Sequence, residues 1–442
     1  MRVRALRGSA MAAGNMRVSH ALIPLLILLS VILCAPRTLS AGEVRLDDLL
    51  REALEHSPQI LSAEAHAAAA YYRIPQSASL PDPMFMLGYQ NEGFERYMYG
   101  KSPDAQWMFS LSQMFPFPGK LPLRETMTTR ESEALRASSG SIRLKTIARI
   151  KELFFQLFLA YKLTDLVEEK STLFLRIEEA AVSRYATGMG SQQEVLMAQT
   201  EKFMLLEREE MLHQKIQALE AMLNRETGRT TGLPLGRPSE PSLTEFVFSI
   251  EELLAMAQEK SPDIRMRERM VAAAETKVLI AEKEYYPDFT LTANLSERRH
   301  LDDMWSLTTA VSIPVFYRTK QKQAVHESEA FLAEARSALD SMKLEISSEI
   351  RDNHSMLKTA QKLMDLYRNG LLPKAYQDFE LALAGYRTGK TDTLTVISRL
   401  KSVIDFETSY WEQFIGRERA IARLEALAGI TDIPELSASR KE

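Results

Sequence analysis

The chain is nearly without cysteine, and that scarcity removes several kinds of chemistry. Its only thiol is Cys34, which lies inside a segment with the marks of a cleaved export signal. Arg2, Arg4, Arg7 and Arg17 precede an apolar run from Ala21 to Leu33, and the small residues Ser40, Ala41 and Gly42 follow, the order of a secretory leader. Met16 is an alternative start. A lipid-attachment cysteine follows a small residue, whereas Leu33 precedes Cys34, so acylation is not favoured. Cleavage near Ala41 leaves no thiol, which excludes disulfides and cysteine-based metal or nucleophilic sites even in an oxidising compartment.

Long hydrophobic runs are missing too. The leader's run is shorter than the about 20 apolar residues of a bilayer span, and beyond it every long stretch carries charges every few residues. A transmembrane helix is not expected in the mature chain, so membrane entry would take another form. Nor is there a charge surplus, since a net charge of −4 offers no basic face to nucleic acid or to an anionic bilayer.

Catalytic signatures are equally scarce. No Gly-rich phosphate loop precedes a helix, no His-Glu-x-x-His appears, and no Ser/His/Asp set is suggested. His56, His66, His213, His300, His326 and His354 are scattered without metal-ligand spacing. No catalytic residue, cofactor or metal site is assigned. Met84 and Met86 stand two apart on a predicted strand, where thioethers can bind soft Cu(I), but methionine also fills apolar gaps, and the sequence favours that use. The acids Glu207, Glu209 and Glu210 sit among basic residues and read as a solvated helix face.

What the chain does have is the same half twice. Ser57-Pro58, Leu80-Pro81-Asp82, Phe115-Pro116 and Tyr185-Ala186-Thr187-Gly188 recur in order as Ser261-Pro262, Tyr286-Pro287-Asp288, Ile313-Pro314 and Tyr386-Arg387-Thr388-Gly389. That offset is far longer than the roughly 20 to 50 residues of a solenoid repeat. Helix breakers are almost absent from Leu123 to Thr187, where only Gly140 occurs, and absent from Arg318 to Asn369. Ile147, Ile150, Phe154, Leu157 and Tyr161, and later Met342, Ile346, Ile350 and Leu357, mark narrow seams of helices packed side by side. Each long helix ends at a Gly-containing turn and restarts at Ser191, or at Thr391 or Asp392, the chemistry of a helical hairpin. Gly370 and Pro373 should bend the second long helix without ending it.

Ahead of each hairpin the period changes to two. Phe289, Leu291, Ala293 and Leu295 alternate with Thr290, Thr292, Asn294 and Ser296, and Trp305, Leu307, Thr309, Val311 and Ile313 form a second such run. The first half does the same less cleanly with Phe85, Leu87 and Tyr89, then Trp107, Phe109, Leu111, Gln113 and Phe115. Apolar-out, polar-in strands with aromatic ends fit a transmembrane β-barrel; amphipathic hairpins on a soluble core are the alternative. Four strands cannot close, and an open edge cannot lie in lipid, so several chains must pool them, and three would give twelve.

The expected division is a signal peptide over 1–41, a first repeat over 42–229, a linker over 230–248, a second repeat over 249–430 and a tail over 431–442. The first repeat places helices at 46–80, strands at 83–91 and 105–115 and a helical hairpin at 120–228. The second places helices at 249–284, strands at 287–296 and 303–313 and a hairpin at 317–428. The fold class is mainly α with a small membrane β part.

With duplicated halves, paired strands and Tyr-x-x-Gly hairpin turns, the chain resembles the TolC-like outer-membrane efflux family over essentially all of its mature length. Ser112-Gln113-Met114-Phe115-Pro116-Phe117-Pro118-Gly119-Lys120 and Leu381-Ala382-Leu383-Ala384-Gly385-Tyr386-Arg387-Thr388-Gly389-Lys390 look like its CusC/CzcC branch, which serves metal-exporting pumps. The resemblance implies a homotrimer with a 12-stranded β-barrel in outer-membrane lipid and an α-helical barrel in the periplasm. Its partners would be a periplasmic adaptor and an inner-membrane RND-type transporter, its cargo heavy-metal cations; drugs, organic molecules or peptides are the alternative cargo, and a soluble periplasmic adaptor or scaffold the alternative role. By the same resemblance Tyr185, Gly188, Tyr386 and Gly389 match the turns that touch adaptor hairpins. Glu194 falls where a member has a gate acid that hydrogen-bonds a tyrosine in the position of Tyr386. Where some members carry two pore-facing aspartates, this chain has Thr395 and Ser398, so an acidic ring is not indicated there; Asp392 reads better as a helix N-cap.

Overall fold

The computed structural model describes residues 43–430; the expected signal peptide, with Met16 and Cys34, and the expected tail over 431–442 lie outside the described residues. Helices α1 (Leu46–His56), α2 (Pro58–Tyr71) and α3 (Arg73–Ala78) lead to strands β1 (Met84–Gln90) and β2 (Gln106–Phe115), then to α4 (Lys120–Ala186) and its return α5 (Gln192–Thr227). The second half repeats the order with α6 (Ile250–Lys260), α7 (Pro262–Lys283), β3 (Asp288–Glu297) and β4 (Met304–Ser312). It continues through α8 (Gln321–Leu366), a π-helical turn (Tyr367–Leu371) and α9 (Leu372–Arg387) to the return α10 (Thr393–Ala428). Among the described residues, no helix is long and apolar enough to cross a membrane.

The helices expected over 46–80 and 249–284 divide at equivalent places. A residue ahead of proline is pushed out of the α region, and Ser57 (ψ 119°) and Ser261 (ψ 121°) both leave the helical range. Pro58 and Pro262 then open α2 and α7, where a missing N–H costs no helical bond. In the first half the chain breaks once more at Tyr72, between α2 and α3.

At Gly370 and Pro373, where a bend without an end was expected, the helix passes through a π turn. Pro373 has no N–H and its ring crowds the carbonyl four residues back; the wider turn just ahead relieves that clash. The backbone stays right-handed helical at Leu366 and Leu371, so Gln321–Arg387 continues without a break. It matches the 67-residue α4 in length, and at 1.5 Å per residue each spans about 100 Å. The returns α5 and α10, 36 residues each, cover about half of that.

The other half of α4 is covered by different helices. Its N-terminal part runs along α7, from Lys120 beside Glu284 to Ser141 bonded to Asp263, while its C-terminal part packs on α5 and α10. Here α4 is buried around most of its circumference rather than along the expected narrow seam, with Phe155, Phe158 and Leu159 covered as well as Ile150, Leu153, Phe154, Leu157 and Ala160; on α8 the narrow stripe holds, with Ile346, Ile350 and Leu357 buried against α6 and α10. Two left-handed glycines lock the waist where each return helix ends. A Cβ on Gly228 (φ 81°) would stand 2.4 Å from the His56 carbonyl, and one on Gly429 (φ 71°) 2.6 Å from that of Lys260.

The strands form one antiparallel sheet in the order β1-β2-β3-β4. Its register sorts side chains by face: Leu87, Phe109, Leu295 and Trp305 form one cross-strand row, and Ser110, Asn294 and Ser306 a row on the opposite face. Phe85 is 66% exposed, Trp305 80% and Leu307 63%. The apolar face therefore rests on no core of the chain's own, which removes the reading of hairpins lying on a soluble body. The outer edges of β1 and β4 pair with no other strand among the described residues.

Sheet and helices are joined at a polar corner. Gly119 takes φ 99°, and Lys120, 1% exposed, donates to Glu284 Oε2 (3.1 Å), Asp288 Oδ1 (2.9 Å) and the Tyr286 carbonyl (3.2 Å). Phe117 stacks on Tyr286 at 4.6 Å. The Phe117-Pro118-Gly119-Lys120 stretch thus ties the start of α4 to the start of β3.

Candidate functional site at the hairpin tips

Both hairpins turn in the same way. At the first, Gly188 (φ 74°) lets the Met189 and Gly190 amides return to the Arg184 carbonyl at 2.9 and 3.1 Å. At the second, Gly389 (φ 74°) lets Lys390 and Thr391 return to Gly385 at 2.8 and 3.2 Å. A left-handed residue closing the last carbonyls is a common helix ending. A Cβ on either Gly188 or Gly389 would meet nothing within 4 Å, so the two turns present open backbone.

The return helices are capped differently. Ser191 and Glu194 make a reciprocal capping box, Glu194 N to Ser191 Oγ at 3.3 Å and Ser191 N to Glu194 Oε1 at 3.5 Å. Asp392 accepts from the Thr395 amide at 2.9 Å, and its bonds with Thr395 hold its carboxyl below the usual aspartate range. Asp392 is an N-cap, and Thr395 is its partner.

The two tips also grip each other. Arg184 lies over the Tyr386 ring, 5.1 Å to the centroid, and donates to the carbonyls of Tyr386 (3.4 Å) and Met189 (3.2 Å). Behind this stack Thr393 Oγ stands 2.6 Å from Glu194 Oε2 and 3.2 Å from the Tyr386 hydroxyl. Thr393 has one proton and the carboxylate accepts only, so the chain runs from Tyr386 O–H to Thr393 to Glu194. The direct acid-to-phenol contact expected for Glu194 and Tyr386 is replaced by one through Thr393, which is fully buried.

The two tip tyrosines part company here. Tyr185 is 50% exposed, whereas Tyr386 is 4% exposed. The Tyr386 ring is spent on the contact between the tips and is not offered outward, as its pairing with Tyr185 had implied. Arg184 and Thr393 are residues that sequence reasoning missed. A signal existed, because Arg184 aligns in the duplication with Gly385, and a side chain at Gly385 would collide with Thr391 Oγ at 2.2 Å.

A second polar cluster sits higher, beside the π turn. Lys170, 3% exposed, donates to Glu169 (2.8 Å) and the Tyr376 hydroxyl (3.3 Å) and lies 3.7 Å from Glu407, to which Tyr376 donates. Burial opposes the charge on Lys170, but Glu169, Glu407 and Tyr376 together outweigh it and hold its pKa above the ordinary lysine value. Burial, with Glu407 second, likewise raises the Tyr376 phenol. No group of three or more His, Cys, Asp or Glu placed to hold a metal occurs among the described residues.

Comparison with known proteins bears on this geometry. Residues 253–398 match the family described as outer membrane efflux protein. The cobalt-zinc-cadmium resistance protein CzcC of Cupriavidus metallidurans is 24% identical, over 66% of this chain and 69% of that protein. Among solved structures, the outer membrane protein VceC of Vibrio cholerae superposes with a TM-score of 0.75 at 21% identity, covering 87% of this chain and 96% of that one. CusC, a transmembrane channel, gives 0.75 at 15% identity over 87% and 92%. The fold is TolC-like.

Proposed function

We propose that this chain, one of the TolC-like outer-membrane efflux proteins, works as one third of a passive exit duct. The observation that carries the reading is the sheet: one exposed apolar face, one polar face and two open edges. Backbone edges cannot stay unpaired in lipid. Three copies supply twelve strands, which lies within the range of closed outer-membrane barrels, and the long hairpins continue the passage into the periplasm. The duct carries no catalytic step of its own.

At the far end, the open turns at Gly188 and Gly389, with exposed Tyr185, are the surface offered to a periplasmic adaptor hairpin, through which an inner-membrane RND-type transporter feeds the duct. The Arg184–Tyr386 stack and the Tyr386–Thr393–Glu194 chain hold the two hairpin tips together and make the resting closure. The similarity to CzcC favours heavy-metal cations as cargo. Deleting the gene from its host tests this: growth should become sensitive to cobalt, zinc or cadmium and recover with the wild-type gene. Sensitivity confined to organic compounds would move the cargo away from metals.

A further inference from the structure

The strand register separates methionine from every other large apolar residue. Met84 pairs with Ser112, Met86 with Ser110, Met108 with Gly88 and Ser296, Met114 with Thr290, and Met304 with Ser296. All five strand methionines therefore share the face that otherwise bears serine, threonine, asparagine, glutamine and small residues. Leucine, valine, phenylalanine, tyrosine and tryptophan of the strands all lie on the other face. Were methionine acting only as a hydrophobe, it would belong with them against lipid. Met84 (71% exposed), Met86 (57%) and Met304 (54%) are instead uncovered on the polar side.

We propose that these five thioethers are a transient binding surface for soft monovalent cations, of the Cu(I) or Ag(I) class, on the lumenal wall of the barrel. The placement of that face inside a closed barrel rests on the exit-duct reading. Thioether sulfur is a soft, uncharged ligand that selects such cations over harder divalent ones. The register groups the sulfurs. Met86 and Met108 are diagonal neighbours, as are Met84 and Met114, while Met108 and Met304 flank Ser296; diagonal positions about 7–8 Å apart are within reach of long side chains. Hydroxyls between them solvate the ion as it moves. Weak, repeated contacts suit conduction better than one tight site, since a passing ion must also leave.

The test uses the full-length protein in detergent micelles, in chloride-free nitrate buffer, with silver nitrate as the probe. Hydrogen peroxide oxidation is followed methionine by methionine by mass spectrometry. Silver should slow oxidation of the five strand methionines severalfold, leave the exposed helix and turn methionines Met211 and Met189 unprotected, and be matched by no effect of zinc nitrate. A variant carrying M84L, M86L, M108L, M114L and M304L should retain less silver in equilibrium dialysis. Unchanged oxidation at the five positions, protection shared equally with Met189 and Met211, or equal silver retention by the variant would overturn the proposal. Oligomeric state is read on the same preparation, so a monomeric wild type counts against the duct while the protection pattern still judges the methionine face.

Discussion

Thr393 carries more of the tip than its size suggests, because one hydroxyl serves both Tyr386 and Glu194. Thr393→Val keeps the shape and removes both bonds, leaving a buried phenol without its partner, a loss of about 1–3 kcal/mol. The expected outcome is a tip that opens more readily, seen as higher conductance of purified oligomers in planar bilayers; unchanged conductance would deny the lock. Asp392 gives a pH-dependent counterpart. Its folded pKa is depressed, so its capping contribution is complete above the ordinary aspartate value and is lost as pH falls through the lower folded value. Protection of the Thr395 amide, measured against its intrinsic exchange rate at each pH, should fall on that acid side, and Asp392→Ala should lower it at neutral pH through a cap loss of about 1 kcal/mol. The turns and the N-cap were legible in the sequence because Gly, Ser and Asp have local reasons to stand there. The split between Tyr185 and Tyr386 was not, because it depends on Arg184 reaching across to a hairpin two hundred positions away.

Among the elements, the second long helix holds the least regular feature, the π turn from Tyr367 to Leu371, and next to it the ion cluster of Lys170, Tyr376 and Glu407. Removing one partner from a buried pair leaves an uncompensated charge, whereas removing both is often tolerated. Lys170→Met should therefore lower thermal stability, by up to about 3 kcal/mol given that Glu407 stays partly in water, and Lys170→Met with Glu407→Leu should recover most of it. Equal melting of the single and double variants would show that the pair is not coupled. The long helices and hairpins could be read from absent breakers and the spacing of Ile150, Phe154 and Leu157. The opening helices of each half were expected as sets over 46–80 and 249–284, and Pro58 and Pro262 fix where they divide. That Pro373 would be met by a wider turn could not be read from sequence, since an ordinary helical turn that bends and a π turn both accommodate the missing donor.

At the scale of the whole molecule, duplication was the clearest message, and the structure extends it to a pair that the sequence left unmarked. Gly228 and Gly429 each end a return helix against the last carbonyl of α1 or α6. A methyl group at either would be held in a left-handed conformation, with strain of about 1–3 kcal/mol, and would press against that carbonyl. Gly429→Ala should lower the melting temperature clearly, while Gly389→Ala, with nothing within 4 Å, should melt closer to wild type and weaken adaptor capture in a pull-down. The reverse order would contradict the division between waist and tip. The proposed duct adds closure: β1 and β4 leave their outer edges unpaired among the described residues, and in lipid those edges would pair with other copies. The most direct measurement is the mass of the detergent-extracted protein from separated membranes, with gel mobility before and after heating. Three chains per particle in the outer-membrane fraction, falling to one on heating, are expected. A single chain recovered from the soluble periplasm would contradict the claim that identical copies complete the wall.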